Sequence, residues 1–235
     1  MRVAATLVLL SAGTALACPP PVLTDVPLTK DGTQIPAGGG VVIATVNGRG
    51  RGGFEESTGR LVAGKSDVET TRQHLAPGLT VIVPKARANR AIELVAEGGK
   101  ALLRLTQTAV APKHAAPKVA KVHSTAPPVK STNGPPPRAM YEPSSQLTIE
   151  LAEAAPDDVL ALVVFQGGQG VAWAAPQPKQ TTYSFWAGGK RCVPGPSTVP
   201  QGTKVTLGWV DLSGRVSVLT KDLRVGATPP SEAEQ

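Results

Sequence analysis

The chain has 235 residues, a formal charge of +7, two cysteines, and aromatic residues at only 3%. That length suits one large domain or two small ones, and the 23 prolines and 25 glycines point to many turns and at least one unstructured stretch. The basic balance suits nucleic acid, anionic lipid or an acidic polymer, and the export signal at the N-terminus argues against nucleic acid.

Residues 1–17 read as a secretory signal peptide: Arg2 supplies the positive charge, Val3–Leu10 an apolar run, and Ala15-Leu16-Ala17 a small-x-small cleavage site. The apolar run is shorter than the ~20 residues a membrane anchor needs. The leucine of a lipoprotein signal would sit where Ala15 is, so cleavage before Cys18 without lipidation is favoured, with a lipid-bearing Cys18 as the alternative. The mature chain is then expected to be periplasmic or secreted. Two cysteines in an exported chain are most simply one disulfide, Cys18 to Cys192. The alternative is a lipidated Cys18 with Cys192 as a buried thiol.

The mature part of about 218 residues begins with strand signals. "VVIATV" (Val41–Val46) is a β-branched run followed by the turn pair Asn47-Gly48. "LTVIVP" (Leu79–Pro84) follows Pro77-Gly78, and "IELVA" and "ALLRL" flank "EGGK" as in a hairpin. No segment keeps a 3.6-residue apolar period for three turns.

From Gln107 to Pro143 the composition changes to Pro, Ala, Lys, Thr and Ser. Such a stretch buries too little apolar surface to offset the entropy of ordering it. A disordered basic linker is therefore expected over 107–143. It carries Lys113, Lys118, Lys121, Lys130 and Arg138 against Glu142 alone. These five are candidate contacts to a polyanion of the cell envelope.

Beyond it come short strand-like runs separated by turn residues, among them "QLTIEL", "VLALVVF", "TTYSFWA", "KVTLGWV" and "RVSVLT". Evenly spaced short strands of this kind suggest a β-sandwich of six or seven strands. "VLALVVF" (Val159–Phe165), the longest apolar segment after the signal, is strand-sized. With so few aromatics, Trp173, Trp186 and Trp209 are each expected to serve a core.

In "VPQGTKVTLGWVDLSGRVSVLTKDLRV" a Pro-x-Gly turn leads into an alternating strand, then Asp-x-x-Gly, then a final strand. Pro200, Gly202, Asp211 and Gly214 carry that pattern. The stretch resembles the last hairpin of immunoglobulin-like and fibronectin-III-like domains of bacterial secreted proteins. It departs from them at Arg215, where the family often has Asn. The resemblance implies a fold and no catalytic residues. The expected architecture is all-β: two small immunoglobulin-like β-sandwich domains, 22–106 and 144–226, joined by a Pro/Ala/Lys-rich disordered linker, with a disordered tail over 227–235.

Catalytic and cofactor motifs are weak. "GRLVAGKS" (Gly59–Ser66) formally fits a phosphate-binding loop, but such a loop follows a buried parallel strand and opens a helix, and neither is expected here. Of three histidines, His114 and His123 fall in the expected linker, so a metal site, which needs converging ligands, is not expected. A Ser-His-Asp triad would have to use His74, and no Gly-x-Ser-x-Gly elbow is present. "NGRGRGGF" reads as a hairpin loop rather than a nucleic-acid motif. Asp211 is expected to accept backbone hydrogen bonds in its turn. No catalytic, cofactor-binding or metal residue is therefore assigned. The expected function is non-enzymatic: an exported envelope or secreted protein with a binding, adhesive or structural role. The alternatives are an accessory or inhibitor protein acting on an exported enzyme, and an enzyme whose site is not evident.

Overall fold

The structure is a computed structural model that describes residues 23–47, 57–86, 91–109, 113–125, 145–187 and 204–225. These residues hold strands and no helix. In chain order the first half contains β1 (Leu23–Pro27), β2 (Gln34–Pro36), β3 (Val41–Asn47), β4 (Arg60–Ala63), β5 (Ser66–Asp67), β6 (Thr70–Ala76), β7 (Leu79–Pro84), β8 (Ile92–Val95) and β9 (Ala101–Thr108). The second half contains β10 (Val119–Thr125), β11 (Ser145–Leu151), β12 (Val159–Gln166), β13 (Gln169–Ala174), β14 (Thr182–Ala187), β15 (Lys204–Asp211) and β16 (Val216–Arg224).

The strands form four sheets, ordered β2-β9-β8-β4-β5, β1-β3-β7-β6, β13-β12-β15-β16 and β10-β11-β14. Pairing is antiparallel except between β2 and β9. Side chains of a strand point alternately to its two faces, and that alternation builds the layers. In the first half, Val41 and Ile43 of β3 join Ile82, Leu61, Leu94 and Leu105 in one apolar core. In the second, Leu162 and Val164 of β12 join Leu207, Trp209, Ile149 and Phe185 in another.

The other faces of the same strands do not meet water. Val42 of β3 and Leu79 and Val81 of β7 pack in one buried cluster with Leu160, Ala161 and Val163 of β12 and Val210 of β15. The two halves therefore share a third apolar layer, and strands β3 and β12 are covered on both faces. This explains why "VVIATV" and "VLALVVF" are unbroken apolar runs: a strand covered on one side would alternate. Removing a Val or Leu side chain from water contributes about 1.5–3 kcal/mol, so this joint is a substantial part of the fold's stability. Trp209 sits in the second core and Trp173 packs on the joint; the side chain of Trp186 lies outside the described residues.

Two stretches of the linker expected over 107–143 are strands in the structure. β9 runs on to Thr108, and Val119–Thr125 is a strand rather than a tether. β10 pairs antiparallel with β11, with Val122 opposite Ile149 and Thr125 opposite Gln146. The pairing satisfies the backbone groups of this segment that face β11, and Val119 and Val122 pack against the second core. The second sandwich therefore begins before residue 144. Residues 126–144, with Lys130 and Arg138, lie outside the described residues, as does the tail expected over 227–235.

Candidate functional site

Chemistry-bearing side chains converge at one place, where the connector between β9 and β10 crosses two turns of the second half. His114 lies on that connector, Asp158 at the entry to β12, and Asp211 and Ser213 in the turn between β15 and β16. His114 Nδ1 is 2.9 Å from Asp158 Oδ2, and its Nε2 is 3.3 Å from Ser213 Oγ. Asp211 Oδ2 stands 3.9 Å from the same Nε2. A carboxylate only accepts, so Nδ1 carries a proton; in the neutral ring Nε2 then accepts from the Ser213 hydroxyl. The expectation that a triad would have to use His74, and that His114 belongs to a disordered segment, is thus overturned. The His114 side chain is only 8% exposed, and Asp158 Oδ2 also accepts the Ala115 amide at 3.2 Å.

The connectivity Asp158–His114–Ser213 is that of a serine hydrolase relay, yet the surroundings differ from those of a reacting site. Ser213 is 1% exposed, so its hydroxyl has no room for an incoming carbonyl. The amides that could stabilise an oxyanion are already donating. Ser213 N and Arg215 N both donate to Asp211 Oδ1, at 2.7 and 3.0 Å, and Gly214 N donates to Asp211 O at 2.9 Å. Asp211 thus fills the turn-capping role expected of it.

The arrangement can instead hold things together. The carbonyl of Ser213 accepts the Gly40 amide of the first half at 2.7 Å. Lys30 Nζ donates to Asp157 O at 3.1 Å, and Trp173 Nε1 donates to Pro77 O at 2.9 Å. Gly214 has φ +72°, and a Cβ there would stand 2.7 Å from Val81 Cγ1; the close approach of the two halves and the left-handed turn both require glycine. Polar contacts therefore border the apolar joint, and His114 fastens the connector to the same turn that receives Gly40. A cleft of about 510 Å³ opens beside the joint, lined among others by His74, Pro77, Thr80, Phe165, Gln169 and Gly170.

The remaining residues singled out in the sequence fall as follows. Gly64 and Lys65 form the turn between β4 and β5, so the Gly59–Ser66 match opens no helix and is not a phosphate loop. Lys113 and Lys121 are exposed, and Lys118 pairs with Glu153 at 3.1 Å. Lys130, Arg138, Cys18 and Cys192 lie outside the described residues. His123 Nδ1 is 3.6 Å from Glu150 Oε1. Among the described residues no group of three or more His, Cys, Asp or Glu side chains is placed to hold a metal ion. Tyr183 is buried, which raises its pKa above the ordinary 10.0; its hydroxyl donates to Gln180 O at 3.0 Å.

No family model matches the chain, and no curated protein matches it. A solved structure of the fibronectin(III)-like modules of Clostridium thermocellum CbhA is similar to it at 12% identity, covering 86% of this chain and 94% of that one, with a TM-score of 0.27. The all-β assignment rests on the strands and sheets themselves.

Proposed function

We propose that the chain is a non-enzymatic exported protein of the cell envelope or medium, in which two β-sandwiches act as one stiff structural and binding unit. The observation that carries this reading is the joint. A shared apolar layer bordered by polar contacts fixes one half on the other, and the Asp158–His114–Ser213 relay is enclosed there rather than presented to a substrate. The leader-like residues Arg2, Val3–Leu10 and Ala15-Leu16-Ala17 support export. The exposed Lys113 and Lys121, with Lys130 and Arg138, are the proposed contacts to an anionic envelope polymer. Lys118 contributes less because Glu153 pairs with it.

The test is to express the chain from its own first residue, fractionate the cells, and measure retention of the purified mature protein on isolated envelopes. Recovery outside the cytoplasm, with retention that falls on adding salt and on changing Lys113, Lys121, Lys130 and Arg138 to Gln, supports the reading. Cytoplasmic recovery would overturn export. Retention unaffected by salt and substitution would overturn the polyanion contact.

A further inference from the structure

We propose that β16 accepts an extended strand from a partner polypeptide, one with aliphatic residues at alternate positions and acidic residues at its ends. The inference deepens the reading of the chain as a binding protein by naming a class of partner.

Among the described residues three large aliphatic side chains are exposed: Val26 at 40%, Val216 at 39% and Val218 at 54%. The strand registers place all three on the faces that form the joint. Val26 of β1 lies opposite Ala44, which alternates with Val42, a member of the shared layer. Val216 and Val218 of β16 lie opposite Val210 and Gly208, and Val210 belongs to that layer too. The apolar layer therefore runs beyond its covered part onto β1 and β16, the outer strands of the two facing sheets. A scattered exposed valine needs no explanation, whereas a patch continuous with a buried layer marks an interaction surface.

Among the described residues β16 pairs with β15 alone, which leaves its other edge for main-chain hydrogen bonding, and Val216-Ser217-Val218 presents apolar side chains at alternate positions. Strand addition uses these two features together: the edge gives affinity and the alternate side chains give specificity. Charge selects the partner. Arg215 precedes β16 and Arg224 lies at its far end, both exposed. Lys221 and Asp222 cancel in the formal count. A strand with acidic ends complements this rim, whereas a second copy would bring the same formal +7 charge against itself.

The test uses the purified mature chain and two fluorescein-labelled peptides, acetyl-EVTVTVE-amide and acetyl-KVTVTVK-amide, with binding read by anisotropy at low and high salt. The acidic peptide is expected to bind saturably, and about tenfold more tightly than the basic one. Changing both Val216→Thr and Val218→Thr keeps side-chain shape and β preference but removes the apolar surface. It should weaken binding about tenfold while leaving thermal unfolding unchanged. No binding of the acidic peptide, equal affinity for both peptides, or unchanged affinity in the double variant would overturn the proposal. So would a concentration-dependent dimer in sedimentation that the double variant dissolves, which would assign the edge to a second copy. Export and envelope retention are measured separately, so the two readings can fail independently.

Discussion

Gly170 of β13 lies directly against the main chain of Leu75 in β6. A Cβ added to it would fall inside the van der Waals radius of the Leu75 carbonyl oxygen, 2.7 Å from the carbonyl carbon and 3.1 Å from Ala76 Cα. Main chain cannot swing aside as the end of a flexible side chain can. The two halves thus meet, at this point, backbone to backbone.

Gly170→Ala is therefore expected to loosen the joint rather than either sandwich. Overpacking of this kind costs about 1–3 kcal/mol. Calorimetry of the native chain should show one cooperative transition, and of the variant a broadened or divided one. An unchanged melting profile would mean that the halves do not meet there in solution.

His114→Ala leaves Asp158 without its imidazole partner and Ser213 without an acceptor. Losing one partner of a buried polar pair costs about 1–3 kcal/mol, to be read from the midpoint of urea unfolding at constant slope. Ser213→Ala, which removes only the 3.3 Å hydroxyl contact, should cost less, about 1 kcal/mol. If His114→Ala matched wild type, the connector would not be fastened by this ring.

Tyr183 makes stability depend on alkaline pH. Burial disfavours its phenolate, so its pKa is raised in the folded chain above the ordinary 10.0. The sign follows from linkage: the contribution is fully present below pH 10.0 and is lost as pH rises through the folded value. Tyr183→Phe should therefore flatten the fall in melting temperature on going from neutral to strongly alkaline buffer. An equally steep fall in the variant would assign the effect elsewhere.

Cys18 and Cys192 are expected to resist alkylation until the mature protein is reduced and unfolded. In the chain-entropy picture, a disulfide closing so long a loop stabilises by an upper figure of roughly 5 kcal/mol. Intact mass settles the competing chemistry at the same N-terminus: an added diacylglyceryl and acyl mass on Cys18 would replace the disulfide with a lipid anchor.

Strand content and the main hairpins were legible from the residues because their causes are local. β-Branched runs favour extended backbone, and Pro77-Gly78 and the Asp211–Gly214 turn supply their own geometry within four residues. The apolar runs of β3 and β12 read as strands from the residues alone, whereas their burial on both faces emerged only with the shared layer. What only the tertiary structure decided depends on residues far apart in the chain. The composition of Lys113–Thr125 suits a tether, but the facing edge of β11 turns Val119–Thr125 into a strand, and two distant turns bury His114. The joint arises in the same way. Its members on β3, β7, β12 and β15 are ordinary core residues one strand at a time, and become an interface only when register points their second faces at each other. Local propensity determines that a segment is extended, whereas the partner that relieves its backbone and covers its side chains is chosen by the packing of the whole chain.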